Sequence, residues 1–299
     1  MNEFNILESI PTKVGIDVYV PTHNRLDLTI GCINTLYENT GSPFHLIVVD
    51  DSTDLTPQWF EALQGEHQNI TFIHSTEPYK SGNQMINIAL KYGGSPYLAC
   101  VMNSVRVEPE WEVVALSRLE QDPKIGIVGL KTLFGKDTLM PGLIESAGIT
   151  IIGFTPFDLG RNYPSHRLTV IYECPAVQWA FCIIRKEAVG VLPEDIYNGF
   201  RGWDDVDNSL TLAKNGWKVL FCGYGVGYHT PKATRGDNSV EEMIASHQNA
   251  EIFYKRWGYW DEYQKAQVNK NPLYISVPGG KRMLEILKRE QRIHSGRAK

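Results

Sequence analysis

From residue 14 onward, short apolar runs alternate with amphipathic stretches. Val14, Ile16, Val18 and Val20 form an alternating apolar run that stops at Pro21, which predicts a β-strand over GIDVYVPTHN. RLDLTIGCINTLYENT follows, with Leu26, Ile30, Ile33 and Leu36–Tyr37 on one face at helical spacing. FHLIVVDDSTD is apolar almost throughout until it meets two aspartates, the pattern of a strand buried on both faces. TPQWFEALQ predicts a helix, NITFIHS a strand, GNQMINIALKYG a helix and PYLACVMN a fourth strand. Strand–helix–strand units at this pitch predict a parallel sheet with helices on its faces.

The second half is less regular. IGIVGLKTLF reads as a strand, and LIESAGITIIGFTPFDLGRNY as a strand with a Gly/Pro-rich loop. AVQWAFCIIRKEAVGVL predicts a strand entering a short helix. WDDVDNSLTLAKNGW predicts a helix with Asp204 or Asp205 as N-cap and Asn215-Gly216 closing it. WKVLFCGYGVGYH is a long strand or a strand pair, and SVEEMIASHQNAEIFYKRWG is helical from about residue 239.

In a doubly wound sheet, ligands gather at the C-terminal strand ends. Here those ends carry Pro21-Thr22-His23-Asn24-Arg25, Asp50-Asp51-Ser52 and Met102-Asn103-Ser104. The polar chemistry of the first half is therefore expected on one edge. The G-x-G-x-x-G fingerprint and the G-x-x-x-x-G-K-[ST] loop are both absent, which argues against hydride transfer and P-loop phosphoryl transfer. A second concentration of charge lies at Asp204, Asp205 and Asp207, and His229 follows 22 residues after the last of them. On its own the cluster could be a solvated helix start, a metal site or a general base.

Composition narrows this little. The 299 residues are 42% apolar and 21% charged, values of a folded globular chain. The five cysteines lack CxxC spacing and mostly sit in apolar runs, so they read as buried free thiols of a reducing compartment. No run reaches the ~18–20 apolar residues that span a bilayer, and MNEFNILESIPTK does not read as a signal peptide. These features point to a cytoplasmic setting. The net charge is −5, yet residues 281–299 hold seven Lys/Arg against two Glu. That +5 tail reads as a solvated terminal helix, or as one that docks peripherally on an anionic membrane or polyanion.

Four stretches in order resemble a GT-A fold, inverting nucleotide-sugar glycosyltransferase of glycosyltransferase family 2: VYVPTHNR, IVVDDSTD, GFRGWDDVDNSLTLAKNGWKVLFCGYGVGYH and FYKRWG. The resemblance implies a Rossmann-like, mostly parallel sheet flanked by helices. It divides the chain into an N-terminal arm (1–13), a transferase domain (14–258, nucleotide half 14–105, acceptor half 106–258) and a basic helical tail (259–299). It implies a hexose moved from a UDP-sugar to an acceptor hydroxyl. Pro21, Thr22, Asn24, Arg25, Asp50, Asp51, Lys80, Asn103 and Ser104 would face the nucleotide. Asp51 would accept from uracil N3–H. Asp205, with Asp204 second, would be the general base. Trp203 would stack on an acceptor sugar, and Asp207 would be a buried cap or pair with Arg185 or Lys186.

One departure stands out. Where the family has a metal-binding Asp-x-Asp, this chain has Met102-Asn103-Ser104, neutral and poorer ligands for a hard cation. Mn2+ or Mg2+ held through Asn103 and His229, charge neutralisation by Arg25, Arg106 or Lys80, and a catalytically inactive nucleotide-sugar-binding module all stay open. So does the acceptor: a glycan, a lipid-linked sugar or a hydroxymethylated DNA base.

Overall fold

The computed structural model describes residues 15–197, 199, 202–231, 240–259 and 261. The predicted N-terminal arm and nearly all of the basic tail lie outside them, as does Arg201. The chain divides into two compact units, Met1–Asn249 and Ala250–Lys299.

The elements follow in chain order. First come β1 (Ile16–Thr22), α1 (Leu26–Asn39), β2 (Phe44–Asp50), α2 (Thr56–Glu66), β3 (Ile70–His74), α3 (Gly82–Tyr92) and β4 (Tyr97–Val101). Then β5 (Val105–Val107), α4 (Val113–Gln121), β6 (Ile125–Phe134), β7 (Ile144–Ser146), β8 (Ile149–Ile152) and β9 (Thr155–Asp158). Finally β10 (Ile171–Glu173), β11 (Phe181–Arg185), α5 (Lys186–Val189), α6 (Asp204–Lys214), β12 (Lys218–His229) and α7 (Val240–Arg256).

The described residues form a ten-stranded sheet whose main path is β10-β12-β6-β11-β4-β1-β2-β3, with β5 beside β12 and β7 beside β6. The run β4-β1-β2-β3 is parallel, as the strand–helix repeats predict. Beyond it the sheet is mixed: β11 runs antiparallel to both β4 and β6, while β12 is parallel to β6. The hairpin β8-β9 stands apart from the large sheet.

Strand alternation sorts the core into two layers. Ile16, Val18, Val20, Leu46 and Val48 pack with Cys32, Ile33 and Leu36 of α1, Phe60 of α2 and Leu116 of α4. Tyr19, Ile47 and Val49 point the other way, into a cluster with Met85, Ile86 and Ala89 of α3 and Leu212 of α6. Asp17 is the buried exception on β1. It is stabilised by Lys186 Nζ at 2.5 Å and the Ser95 amide at 2.9 Å, since a carboxylate buried without partners is costly.

β12 is one long strand that changes partners along its length. An irregularity between Cys222 and Val226 lets it leave β10 and reach β5 while staying on β6. A Cβ at Gly223 or Gly225 would collide with the backbone carbonyl oxygens of Leu168 or Trp111, so the close approach requires glycine at both.

α6 starts one residue earlier than its acids suggest. Its N-cap is Trp203, in the left-handed region at φ 77°, and Asp204, Asp205 and Asp207 all fall inside the first turn. There they complement the positive end of the helix dipole without serving as the N-cap. Arg185 and Lys186 do not pair with Asp207. Arg185 donates to the carbonyls of Leu119, Asp122 and Ile125, and Lys186 is held by Asp17. All five cysteines are free, four buried and Cys174 half-buried, with burial pushing the Cys32 and Cys174 thiols up to about 12.

The second unit contains the end of α7. Ala250, Phe253 and Tyr254 are buried, the two rings meet edge-on at 5.6 Å, and the Tyr259 amide closes back on the Tyr254 carbonyl. Among the described residues no helix is long and apolar enough to cross a membrane.

Candidate active site

A cleft of about 390 Å³ opens at the C-terminal edge of β1, β2 and β4. This is the point where successive parallel connections leave β1 in opposite directions, the usual ligand crevice of a doubly wound sheet. β1 contributes Tyr19, Pro21 and Thr22, and His23 follows it; Asp51 lies just past β2, and Met102 and Asn103 just past β4. The far wall carries Asp204, Asp205 and Asn208 of α6, and the N-terminal end of α3 adds Gly82 and Asn83. The strand-end acid and the acids of α6 thus face one space.

The two neighbouring aspartates of β2 have different jobs. Asp51 lines the cleft, with His23 Nδ1 2.9 Å from Oδ1 and the Tyr79 amide donating to Oδ2 at 2.9 Å. Asp50 is fully buried behind the wall, where Thr22 Oγ1 (2.6 Å) and Ser52 Oγ (2.5 Å) donate to Oδ1 and His74 Nδ1 lies 2.7 Å from Oδ2. Asp50 therefore holds the strand ends together and does not border the cleft.

Asn24 and Arg25 also act from outside the wall. Both adopt positive φ, 55° and 59°, which an Asn tolerates better than most residues. The Asn24 side-chain Oδ1 accepts from the Thr53 and Asp54 backbone amides, and the Asn24 backbone N–H donates to Ser52 Oγ at 2.7 Å. The turn after β1 is thereby locked to the turn after β2. Arg25 is exposed and forks onto Asp27, which raises the guanidinium pKa. Lys80 is exposed with its backbone tied to Gln84, and Ser104 is buried outside the cleft. Arg106 packs against α1 at Gly31. None of these cations borders the cleft.

The donor set does not fit a divalent cation in the way the resemblance implies. Asn103 lines the cleft and donates to Thr29 Oγ1 at 3.1 Å, so one neutral oxygen stands where two carboxylates would be needed. His229 is half-buried, with Nδ1 held 2.7 Å from Glu145 Oε2. Among the described residues no three His, Cys, Asp or Glu side chains converge in a metal-binding group.

Several residues that position the site gave no signal in the sequence. The Asn208 amide donates to Asn83 Oδ1 at 2.8 Å and accepts in return at 3.4 Å, joining α6 to α3 across 125 positions. Ser209 Oγ donates to the Asp205 carbonyl at 2.7 Å and accepts from Trp179 Nε1 at 3.1 Å. Asp205 Oδ1 accepts from the Val206 amide at 2.8 Å. Burial raises the Tyr19 phenol well above its ordinary value, and burial with the nearby Asp51 raises Tyr79. Both stay neutral hydroxyls in the cleft wall.

A second, smaller cavity of about 220 Å³ lies beyond α6, between Trp203, Asp205 and Val206 on one side and Pro156, Phe157, Asp158 and Gln178 on the other. Asp205 is the residue common to both cavities.

A family model described as Glycosyl transferase family 2 matches residues 17–190. No curated protein matches the chain in sequence. Among solved structures, GalNAc-T7 with UDP, GalNAc and Mn2+ superposes with a TM-score of 0.65 at 15% identity, over 89% of this chain and 52% of that one. This chain thus spans about half the length of that relative. Mannosyltransferase PcManGT from Pyrobaculum calidifontis, in complex with GDP-Man and Mn2+, gives 0.54 at 17% identity over 92% and 80%. TarS 1–349 from S. aureus, in complex with UDP-GlcNAc, gives 0.55 at 15% identity over 88% and 76%. At such identities the likeness is one of fold. With the family match covering more than half of its length, the chain belongs to glycosyl transferase family 2 and adopts the GT-A fold.

Proposed function

We propose that the chain transfers a hexose from a nucleotide-sugar donor, UDP-linked, to an acceptor hydroxyl with inversion, and that Asp205 is the general base. The observation that carries this reading is the position of Asp205, which borders both the cleft containing Asp51 and the second cavity. A base for inverting displacement must stand between donor and acceptor. It takes the hydroxyl proton as that oxygen attacks the anomeric carbon, while the nucleoside diphosphate leaves from the opposite face. Asp51 would read the base edge with lone pairs not used by His23 and Tyr79. The N-terminal end of α3 would favour the diphosphate, because the helix dipole is positive there. Trp203 and Asp207 follow from the same reading as an acceptor-side aromatic and a buried support of the α6 turn.

The mutual amide bonds of Asn83 and Asn208 fix the distance between the donor-side and acceptor-side helices, and positioning of that kind is a large part of catalysis. The test is UDP release from UDP-sugars, with and without acceptor, in the wild type and in Asp205→Asn. The variant should bind UDP normally and lose at least about a hundredfold in turnover, the lower range for a general base. The anomeric configuration of the product, read by NMR, decides inversion. Wild-type rates in Asp205→Asn would remove the base assignment. The neutral Met102-Asn103-Ser104 stretch favours a second reading, a nucleotide-sugar-binding module without turnover. UDP binding with no UDP release from any donor would select it.

A further inference from the structure

We infer that two adjoining loops, residues 135–142 and 160–167, form a docking surface for an anionic membrane. Exposed apolar side chains are the first argument. Leu139 is 101% exposed, Tyr163 57% and Met140 44%, and Pro141 and Pro164 are exposed beside them. The loops are neighbours because the base of one pairs with the other. Leu143 bridges to Pro164, and the Ile144 amide donates to the Tyr163 carbonyl at 2.8 Å. A Leu–Met tip beside a tyrosine suits the boundary of a bilayer, where the apolar groups leave water and the phenol stays at headgroup level.

The loops are also held in one shape. The first closes on itself, with the Gly142 amide donating to the Phe134 carbonyl at 2.8 Å and the Leu143 amide to the Met140 carbonyl at 3.2 Å. Lys131 supports the second from below. It is 2% exposed, and its Nζ donates to the carbonyls of Ser165 (3.1 Å) and Arg167 (3.3 Å) and to Thr169 Oγ1 (3.1 Å). A surface already fixed in its binding shape loses less freedom on docking.

Charge selects the partner. Residues 159–172 contain no Asp or Glu and carry Arg161, His166 and Arg167, all exposed. Arg161 is answered by Asp158 at 3.3 Å, and Asp137 follows Lys136 in the first loop. The surplus therefore rests on Arg167 and on Lys131, whose hydrogen-bond partners are all neutral. A Lys or Arg near the surface favours an anionic leaflet about fivefold. Position is the last argument. The first loop leaves the C-terminal end of β6, and β6 runs parallel to β4 because β11 is antiparallel to both. The patch thus lies on the sheet edge where the cleft opens, and a docked chain turns that edge toward the bilayer. Docking of this kind does not depend on the transferase reading.

The test is co-sedimentation of the full-length chain with vesicles of phosphatidylcholine, alone or with about 30% phosphatidylglycerol. The anionic vesicles should bind at least about fivefold more tightly than the neutral ones. Leu139→Asp with Met140→Asp in one variant, and Arg167→Glu in another, should each weaken that binding about tenfold or more. Urea midpoints should stay at the wild-type value, because all three positions are exposed. The basic tail is intact in both variants, so a loss assigns the binding to the loops. No sedimentation with anionic vesicles overturns the inference. So does binding that ignores the Leu139 and Met140 substitutions. Self-association of the wild type, abolished by the same substitutions and unaccompanied by vesicle binding, would make the patch a contact for a second copy and equally overturns it.

Discussion

Asp50 and Asp51 are adjacent acids at one strand end, and the structure predicts that their removal has opposite consequences. Asp50→Ala deletes the acceptor of three short hydrogen bonds in a fully buried site and strands Thr22, Ser52 and His74. Hydrogen bonds to a charged group contribute about 1.5–3 kcal/mol each. Part of that is offset, because the hydroxyls can turn to other partners and a buried charge is removed. Losing one partner of a buried charged network costs about 3–5 kcal/mol, and the net effect should fall in this range. Asp51→Ala loses His23 and the Tyr79 amide at the cleft wall, where solvent can replace Asp51, and should cost about 1–2 kcal/mol. Binding should reverse the order. Asp51→Ala should weaken UDP by at least about tenfold, equivalent to 1.4 kcal/mol. Asp50→Ala, wherever it remains folded, should bind UDP with less change than that. Urea unfolding gives the stabilities and isothermal titration gives the affinities. If Asp50→Ala unfolds at the wild-type midpoint, or if Asp51→Ala binds UDP as the wild type does, the division of labour drawn here is wrong.

Three further outcomes are expected. Asn208→Leu leaves Asn83 Oδ1 buried without its 2.8 Å donor and should cost about 1–3 kcal/mol in urea unfolding; a double-mutant cycle with Asn83→Leu should show coupling above about 0.5 kcal/mol. Burial raises the Asp158 pKa above its ordinary 3.8, so the folded chain binds that proton more tightly than the unfolded chain does. This contribution is favourable at low pH and is lost as pH rises from that value through the raised one. Asp158→Asn should therefore improve relative to the wild type between pH 4 and pH 7 in parallel urea series, and a constant difference would refute the assignment. Treatment with a chelator should leave the UDP thermal shift unchanged, because Asn103 and Ser104 supply no carboxylate to a cation; a lost shift would contradict that donor chemistry.

The nucleotide half was legible because its periodicity is strict. β1, β2 and β4 are apolar runs that end at polar residues, and α1 and α3 keep one apolar face. β5, β7 and β10 have three residues each, too short for any period to register. The helix α4 in WEVVALSRLEQ was missed, although Ala115, Leu116 and Leu119 share a buried face. Within the site, strand alternation held information that went unused. Tyr19, Pro21 and His23 share one face of β1 and its extension, and Ile47, Val49 and Asp51 the matching face of β2; of these Tyr19, Pro21, His23 and Asp51 line the cleft, with Thr22 joining them from the other face of β1. The same alternation puts Asp50 on the opposite side with Leu46 and Val48. By contrast, the Asn83–Asn208 and Ser209–Trp179 bonds join residues far apart in the chain, and no local pattern could have paired them.

The amide pair between α3 and α6 has an implication for how such a chain can diversify. It welds two helices that line the larger cleft, whereas the β8-β9 hairpin, outside the main sheet, contributes to the wall of the smaller cavity. On the proposed reading, substitutions along residues 149–158 would alter the acceptor side without shifting the carboxylate that would drive the transfer. Grafting that hairpin from a distant relative would, on that reading, change the acceptor side while leaving the Asn83–Asn208 framework in place.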